Sequence, residues 1–244
     1  MSKSVLITGA TRGLGQGMAR HFAQRGYKLA LTARKQEDLI ELKTELEASS
    51  PQVIICELDV SQFDRVPVVL REAAAALGGL DIVVANAGLG EPARAGEGKF
   101  QQMAQMIDVN LTGAIATADA AIELFREQGR GQFVGITSVA AVRGMPNSGV
   151  YSATKAALGK YLEALRCEVH GQNIVVTELA PGYIDTDINR ALASRPFLVT
   201  AAAGTRVMVD LIEKQVSFRY VPPWPWTLVA QAMKLMPSAL LRKM

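Results

Sequence analysis

Cysteine, histidine and tryptophan are scarce in this chain of 244 residues, two of each, and their scarcity narrows the chemistry open to it. His21 lies within a helical pattern and His170 beside Gly171, where a helix should stop, so the histidines supply no metal-ligand set. Cys56 and Cys167 fall in a strand-like and a helix-like run, and two buried, reduced thiols are expected rather than a bridge. An excess of one charge is also missing. The 26 Lys and Arg are interspersed among 23 Asp and Glu, for a net charge of +3, which gives no electrostatic footprint for nucleic acid. No low-complexity tract, internal repeat or biased linker divides the chain, and no basic leader with an apolar core opens it, so a single cytoplasmic domain is expected. Apolar residues make up 49% of the chain, enough for a sizeable core at this length.

What is present is an alternation. Strand-like and helix-like segments succeed one another from Val5 to Leu179, the βαβ pattern of an α/β fold with a doubly wound parallel sheet covered by helices on both faces.

Within that pattern Tyr151 and Lys155 stand four residues apart at the start of an apolar-periodic segment, hence on one face of a helix. A free phenol has a pKa near ~10, and a neighbouring cation favours the phenolate and pulls that value down. The pair is a candidate proton-transfer device, although the spacing also occurs on solvated helix faces. The opening of the chain gives it a context. Val5-Leu6-Ile7 leads into Thr8-Gly9-Ala10-Thr11-Arg12-Gly13-Leu14-Gly15 and then into a helix-like run from Met18 to Arg25. Strand, glycine turn and helix N-terminus together present backbone N–H groups to an anion, as a dinucleotide pyrophosphate site requires. The T-G-x-x-x-G-x-G spacing, with Y-x-x-x-K about 140 residues later, resembles the short-chain dehydrogenase/reductase family, which implies a single-domain Rossmann fold.

The resemblance continues in order along the chain, from residue 4 to about residue 190. Asp59-Val60, after the apolar run Ile54 to Leu58, is similar to the family's adenine-facing aspartate, though an aspartate there also reads as an ordinary turn residue. Asn86-Ala87-Gly88 resembles the N-A-G turn at the cofactor ribose, with Ala85 in place of the commoner asparagine. Asn110 matches the asparagine that kinks a long helix and orders a water beneath the lysine. Ser138 lies thirteen residues before Tyr151, and Pro181-Gly182-Tyr183-Ile184-Asp185-Thr186 resembles the segment that closes over the nicotinamide. The implied catalytic set is Asn110, Ser138, Tyr151 and Lys155. The implied cofactor contacts come from the glycine turn, Arg34, Asp59, Val60, Asn86, Ala87, Gly88, Tyr151, Lys155, Pro181, Gly182, Ile184 and Thr186.

Cofactor choice turns on the end of the second strand. After Leu29 to Ala33 stands Arg34, where an NAD-selective protein carries an acid for the ribose hydroxyls. A guanidinium there suits the 2′-phosphate of NADP, and Arg12 in the glycine turn can approach the same group. The resemblance then implies an NADP-dependent oxidoreductase, with a carbonyl reductase direction favoured. Tyr151 would donate the proton, Ser138 would steady the oxygen, and Lys155 would lower the phenol pKa and hold the ribose. A non-catalytic sensor or interaction protein on the same scaffold would not need Tyr151 or Lys155.

The substrate should be a small hydrophobic carbonyl compound or alcohol, met by Ser138, by Arg143 and Met145 in the loop before Tyr151, by Tyr183, and by residues 188–204. Residues 191–244 are expected to complete the domain of which residues 1–190 form the core. Beyond residue 190 the resemblance weakens. Trp226, Val229, Met233, Met236 and Leu240 recur at helical spacing, with Lys234, Arg242 and Lys243 off that stripe, so an amphipathic helix is expected. Its favoured role is a lid or subunit contact in a homodimer. A helix lying in a membrane interface, through residues 222–244, is the alternative.

Overall fold

The computed structural model of the protein describes residues 2–190, 192 and 194–241. Seven short strands form its centre: β1 (Ser4–Ile7), β2 (Lys28–Ala33), β3 (Val53–Glu57), β4 (Ile82–Ala85), β5 (Gly131–Ile136), β6 (Ile174–Pro181) and β7 (Phe218–Val221). They lie in the order β3-β2-β1-β4-β5-β6-β7 and every pair is parallel. The chain runs outward from β1 to β3, then crosses back to β4 beside β1. That reversal opens a crevice at the carboxyl ends of β1 and β4, where doubly wound sheets bind ligands.

Helices cover both faces because the strands are apolar on both. Leu6, Val83, Phe133 and Val176 point to one side, where they meet Leu70 of α3 (Arg65–Leu77), Phe125 of α5 (Gly113–Gln128) and Leu162 of α6 (Gly149–Glu168). Val5, Ile7, Val84 and Val134 point to the other. There they meet Met18 and Phe22 of α1 (Gly13–Gln24), Leu42 of α2 (Ile40–Leu46), and Met208 and Ile212 of α8 (Ala201–Glu213). The alternation read from the sequence is therefore the fold. The sheet also crosses residue 190, since β7 pairs with β6 over Glu178–Phe218 to Pro181–Val221. This last strand is only four residues long, too short for its alternation to stand out from the sequence.

Between α4 (Phe100–Ile107) and α5, residues Asp108–Thr112 form a π-helical turn. The extra residue of such a turn displaces the helix and turns Asn110 inward, and Asn110 is fully buried. The chain ends on α9 (Pro223–Leu235) and α10 (Ser238–Leu241), after the short α7 (Asp187–Arg190) in the loop beyond β6. No described helix is long and apolar enough to cross a membrane.

One expectation changes. Cys56 is half-buried but Cys167 is exposed, because the core-facing residues of α6 are Leu158, Leu162 and Leu165 and Cys167 falls two positions beyond that stripe. His170 is exposed, and His21, also at the surface, bridges α1 to α8 through a 3.0 Å hydrogen bond with the Ala202 carbonyl.

Candidate active site

A cleft of about 350 Å³ opens at the carboxyl end of the sheet, lined by the glycine turn, Arg34, Asp59, Asn86 to Leu89, Ser138, Tyr151, Lys155 and residues of the loop after β6. Backbone proximity makes its floor. A Cβ on Gly9 would lie 2.8 Å from the Ala87 Cα, and one on Gly15 would lie 2.4 Å from the Gly9 carbonyl oxygen and 2.6 Å from Asn86 Nδ2. No side chain fits at either position. The two turns are laced together: Asn86 Nδ2 donates to the carbonyls of Thr8 (2.9 Å) and Gly9 (3.0 Å), and the Thr8 hydroxyl accepts from the backbone N–H groups of Asn86 and Ala87, both at 3.0 Å. Thr8 thus fixes the geometry of the cleft, a role its position before Gly9 does not disclose.

Asn110 holds the next part of the wall. Its Oδ1 accepts from Leu89 N at 2.7 Å, and its Nδ2 donates to Leu89 O at 2.8 Å and to Thr154 Oγ1 at 3.4 Å. Thr154 in turn donates to the Tyr151 carbonyl at 2.8 Å. Both ends of the amide are engaged on protein atoms, so Asn110 joins the Asn86–Leu89 turn to the start of α6.

Tyr151 and Lys155 share a face of α6 as their spacing requires, with Lys155 Nζ 5.9 Å from the centre of the Tyr151 ring. Nζ also donates to the Ile136 carbonyl at 2.9 Å, and the side chain is buried. Burial pushes the ammonium down to about 8, because a desolvated cation is disfavoured. Burial likewise raises the Tyr151 phenol above its ordinary value, opposed by a hydrogen bond with Ser138 and reinforced by Tyr183. The shift of the phenol in this arrangement comes from burial, Ser138 and Tyr183, while the Lys155 ammonium donates to the Ile136 carbonyl.

The outer parts depart further from expectation. Arg34 lines the cleft, and so does Asp38. Arg12, 71% exposed, reaches Asp187 of α7 at 3.7 Å, a pair worth little by itself. Asp59 lines the cleft while its Oδ1 accepts from Ser61 N (2.9 Å) and Ser61 Oγ (2.7 Å), so the turn reading and the cleft reading both hold. Arg143 does not reach the cleft. Its Nη1 donates to the carbonyls of Met233, Lys234 and Met236 at 3.1, 3.1 and 2.9 Å, satisfying the acceptors left over where α9 ends. Met145 and Tyr183 lie outside the cleft lining as well. Ile188, at the head of the expected 188–204 segment, does line the cleft: a Cβ on Gly90 would be 2.5 Å from Ile188 Cγ2 and 3.6 Å from the Tyr151 ring.

Behind Pro181-Gly182 stands Trp226, 2% exposed. A Cβ on Gly182 would lie 2.0 Å from its indole, and the rings of Tyr183 and Phe197 meet it edge-on at 5.7 and 5.9 Å. The tail helix is therefore fastened to both loops that border the cleft, to one by Trp226 and to the other by Arg143.

A sequence profile of the short chain dehydrogenase family matches residues 3–196. The chain belongs to that family. An uncharacterized oxidoreductase of Mycobacterium tuberculosis is 40% identical over 244 residues, 99% of this chain and 96% of the relative. The alcohol dehydrogenase of the archaeon Thermococcus sibiricus, solved with 5-hydroxy-NADP, superposes with a TM-score of 0.81 at 30% identity over 91% of this chain and 95% of its own. A family member from Burkholderia phymatum, solved in complex with NAD, gives 0.86 at 22% identity over 99% and 95%, a likeness of fold alone.

The contact of Trp226 with Gly182 sets an expected outcome. Trp226→Ala should destabilise the protein by about 3–5 kcal/mol, the range for emptying a buried aromatic site, and Trp226→Phe by clearly less. Thermal denaturation of the two variants measures this. Equal melting temperatures for Trp226→Ala and the parent would show that the tail is not packed as described.

Proposed function

We propose that this short-chain dehydrogenase is an NADP(H)-dependent carbonyl reductase or alcohol dehydrogenase acting on a hydrophobic ketone, aldehyde or secondary alcohol. The observation that carries this reading is the convergence of Ser138, Tyr151 and Lys155 on one cleft with the glycine turn at its other end. The cradle suits a dinucleotide, since Gly9 and Gly15 leave backbone where a side chain would fill the space and the N-terminus of α1 favours a phosphate. When bound, a nicotinamide cofactor supplies or accepts the hydride.

The chain's own residues supply the rest. Tyr151 donates its hydroxyl proton to the carbonyl oxygen, and Ser138 hydrogen-bonds the same oxygen as charge develops on it. Burial shifts the phenol upward, which suits a proton donor in the reduction direction. The Lys155 ammonium would hold the ribose hydroxyls and offset charge on the phenolate left after transfer. Asn110 keeps the Asn86–Leu89 turn in place against α6. Leu89, Val109, Ile184 and Ile188 give the cleft apolar walls, consistent with a hydrophobic substrate.

The preference for NADP rests on Arg34 at the end of β2, a planar donor for a 2′-phosphate, and is supported by the NADP-type ligand of the Thermococcus sibiricus enzyme. Asp38 in the same cleft is the acid that would favour NAD, so the balance between the two groups decides the choice.

Tyr151→Phe should leave folding and NADPH binding nearly intact while cutting carbonyl reduction by at least ~10²-fold; a panel of aldehydes, cyclic ketones and quinones followed by NADPH oxidation reads it. Turnover within a few-fold of the parent would remove Tyr151 from the mechanism. Arg34→Asp should weaken NADPH far more than NADH, because a charge-assisted contact is replaced by repulsion. The ratio of the two dissociation constants is the measured quantity, and an unchanged ratio would place the 2′-phosphate elsewhere.

A further inference from the structure

We infer that the outward face of α9 is a docking surface for an anionic lipid membrane. This helix carries apolar residues on two opposite faces. Trp226, Ala230 and Met233 point inward and are buried, whereas Leu228 and Leu235, seven residues apart and so on one side, point outward with 60% and 87% of their surface exposed. Trp224 at the start of the helix is 72% exposed and Leu240 on α10 is 52% exposed. Exposed Gln231 lies between Leu228 and Leu235 on this face, so the outer side of α9 is amphipathic, whereas the solvent side of an ordinary surface helix is polar. Tryptophan beside leucines is the composition that settles at the boundary between headgroups and acyl chains.

Charge identifies the partner. Residues 214–244 carry five of the 26 basic residues, Lys214, Arg219, Lys234, Arg242 and Lys243, and none of the 23 acidic ones. Arg242 and Lys243 lie outside the described residues; Lys214 at the end of α8, Arg219 on β7 and Lys234 on α9 are exposed. A second copy seated on this face through a twofold axis would bring the same acid-free segment, with no carboxylate for Lys234. An anionic bilayer complements these cations, through attraction that each lysine and arginine near the surface strengthens. The sequence stripe of Trp226, Val229, Met233, Met236 and Leu240 made packing and membrane contact exclusive alternatives for one set of residues. In the structure the buried residues and the exposed apolar residues lie on different faces of α9.

The rim of the cleft meets the inward side of the same helix, where Phe197, 54% exposed, packs edge-on against Trp226.

The test is cosedimentation of the full chain with vesicles of phosphatidylglycerol and phosphatidylcholine, and with vesicles of phosphatidylcholine alone. The parent should bind the anionic vesicles at least ~10-fold more tightly, with affinity falling as salt is raised. The exposed substitutions Trp224→Ser, Leu228→Ser and Leu235→Ser, combined, should abolish binding with an unchanged melting curve, and Lys234→Glu with Arg219→Glu should weaken it. Absence of binding to anionic vesicles, equal binding to both vesicle types, or unchanged binding by the triple variant would overturn the proposal. So would loss of an oligomer in the triple variant with vesicle binding retained, which would make the face a subunit contact. None of these readouts involves turnover, so their failure leaves the catalytic assignment standing.

Discussion

The desolvated ammonium of Lys155 is the constraint around which the cleft is organised. A buried cation persists only where acceptors and nearby dipoles offset its lost hydration, and here the Ile136 carbonyl at the end of β5 supplies a 2.9 Å contact. That contact requires α6 to run tightly beside β5. A Cβ on Gly135 would lie 2.4 Å from Leu162 of α6, and one on Gly88 would lie 3.6 Å from Lys155 Nζ. Asn110 then closes the space from the other side, through Leu89 and Thr154. The same burial that shifts the ammonium down shifts the Tyr151 phenol up, so one feature of packing acts on both groups.

The C-terminal segment is mechanically part of this site, although it contributes little to its lining. Trp226 backs Gly182, and Arg143 ties the loop before Tyr151 to the end of α9. Movement of the tail would reach the segment expected over the nicotinamide and the loop bearing Ser138 at once. The indole nitrogen of Trp226 is buried without a hydrogen-bond partner, a cost accepted where the ring is held by three other surfaces.

Much of this was legible in the sequence because it depends on local chemistry. Glycines in a fixed spacing after an apolar strand imply a backbone-lined turn, and Tyr151 and Lys155 four apart on a helix must share a face. Asn110 was also readable, though its π-helical setting was not. What could not be read depends on distant partners. Arg143 sits in the loop expected to line the pocket, yet it turns to carbonyls about ninety residues on. Cys167 is exposed because the phase of α6 is set by three leucines, and β7 is recognised only by its pairing with β6. The tail stripe was placed one position off at its end, with Leu241 buried where Leu240 was expected, and Ala230 joins Trp226 and the partly buried Val229 because a short side chain carries little signal of which face is inward. The upward shift of Tyr151 comes first from burial, which a sequence does not show.

The most direct measurement is an NMR titration of Lys155 in protein labelled at the lysine Cε, assigned with Lys155→Met. In the cofactor-free protein the amine should titrate near pH 8, well below an exposed lysine, and NADPH should move the transition upward by giving the ammonium new acceptors. The sign extends to stability: with the folded pKa lowered, the cost of the buried charge is full below pH 8 and is relieved as pH rises toward the unfolded value near ~10.4. Titration of Lys155 above pH 10 without cofactor would contradict the account, because the ammonium would then be solvated or paired in a way the structure does not show.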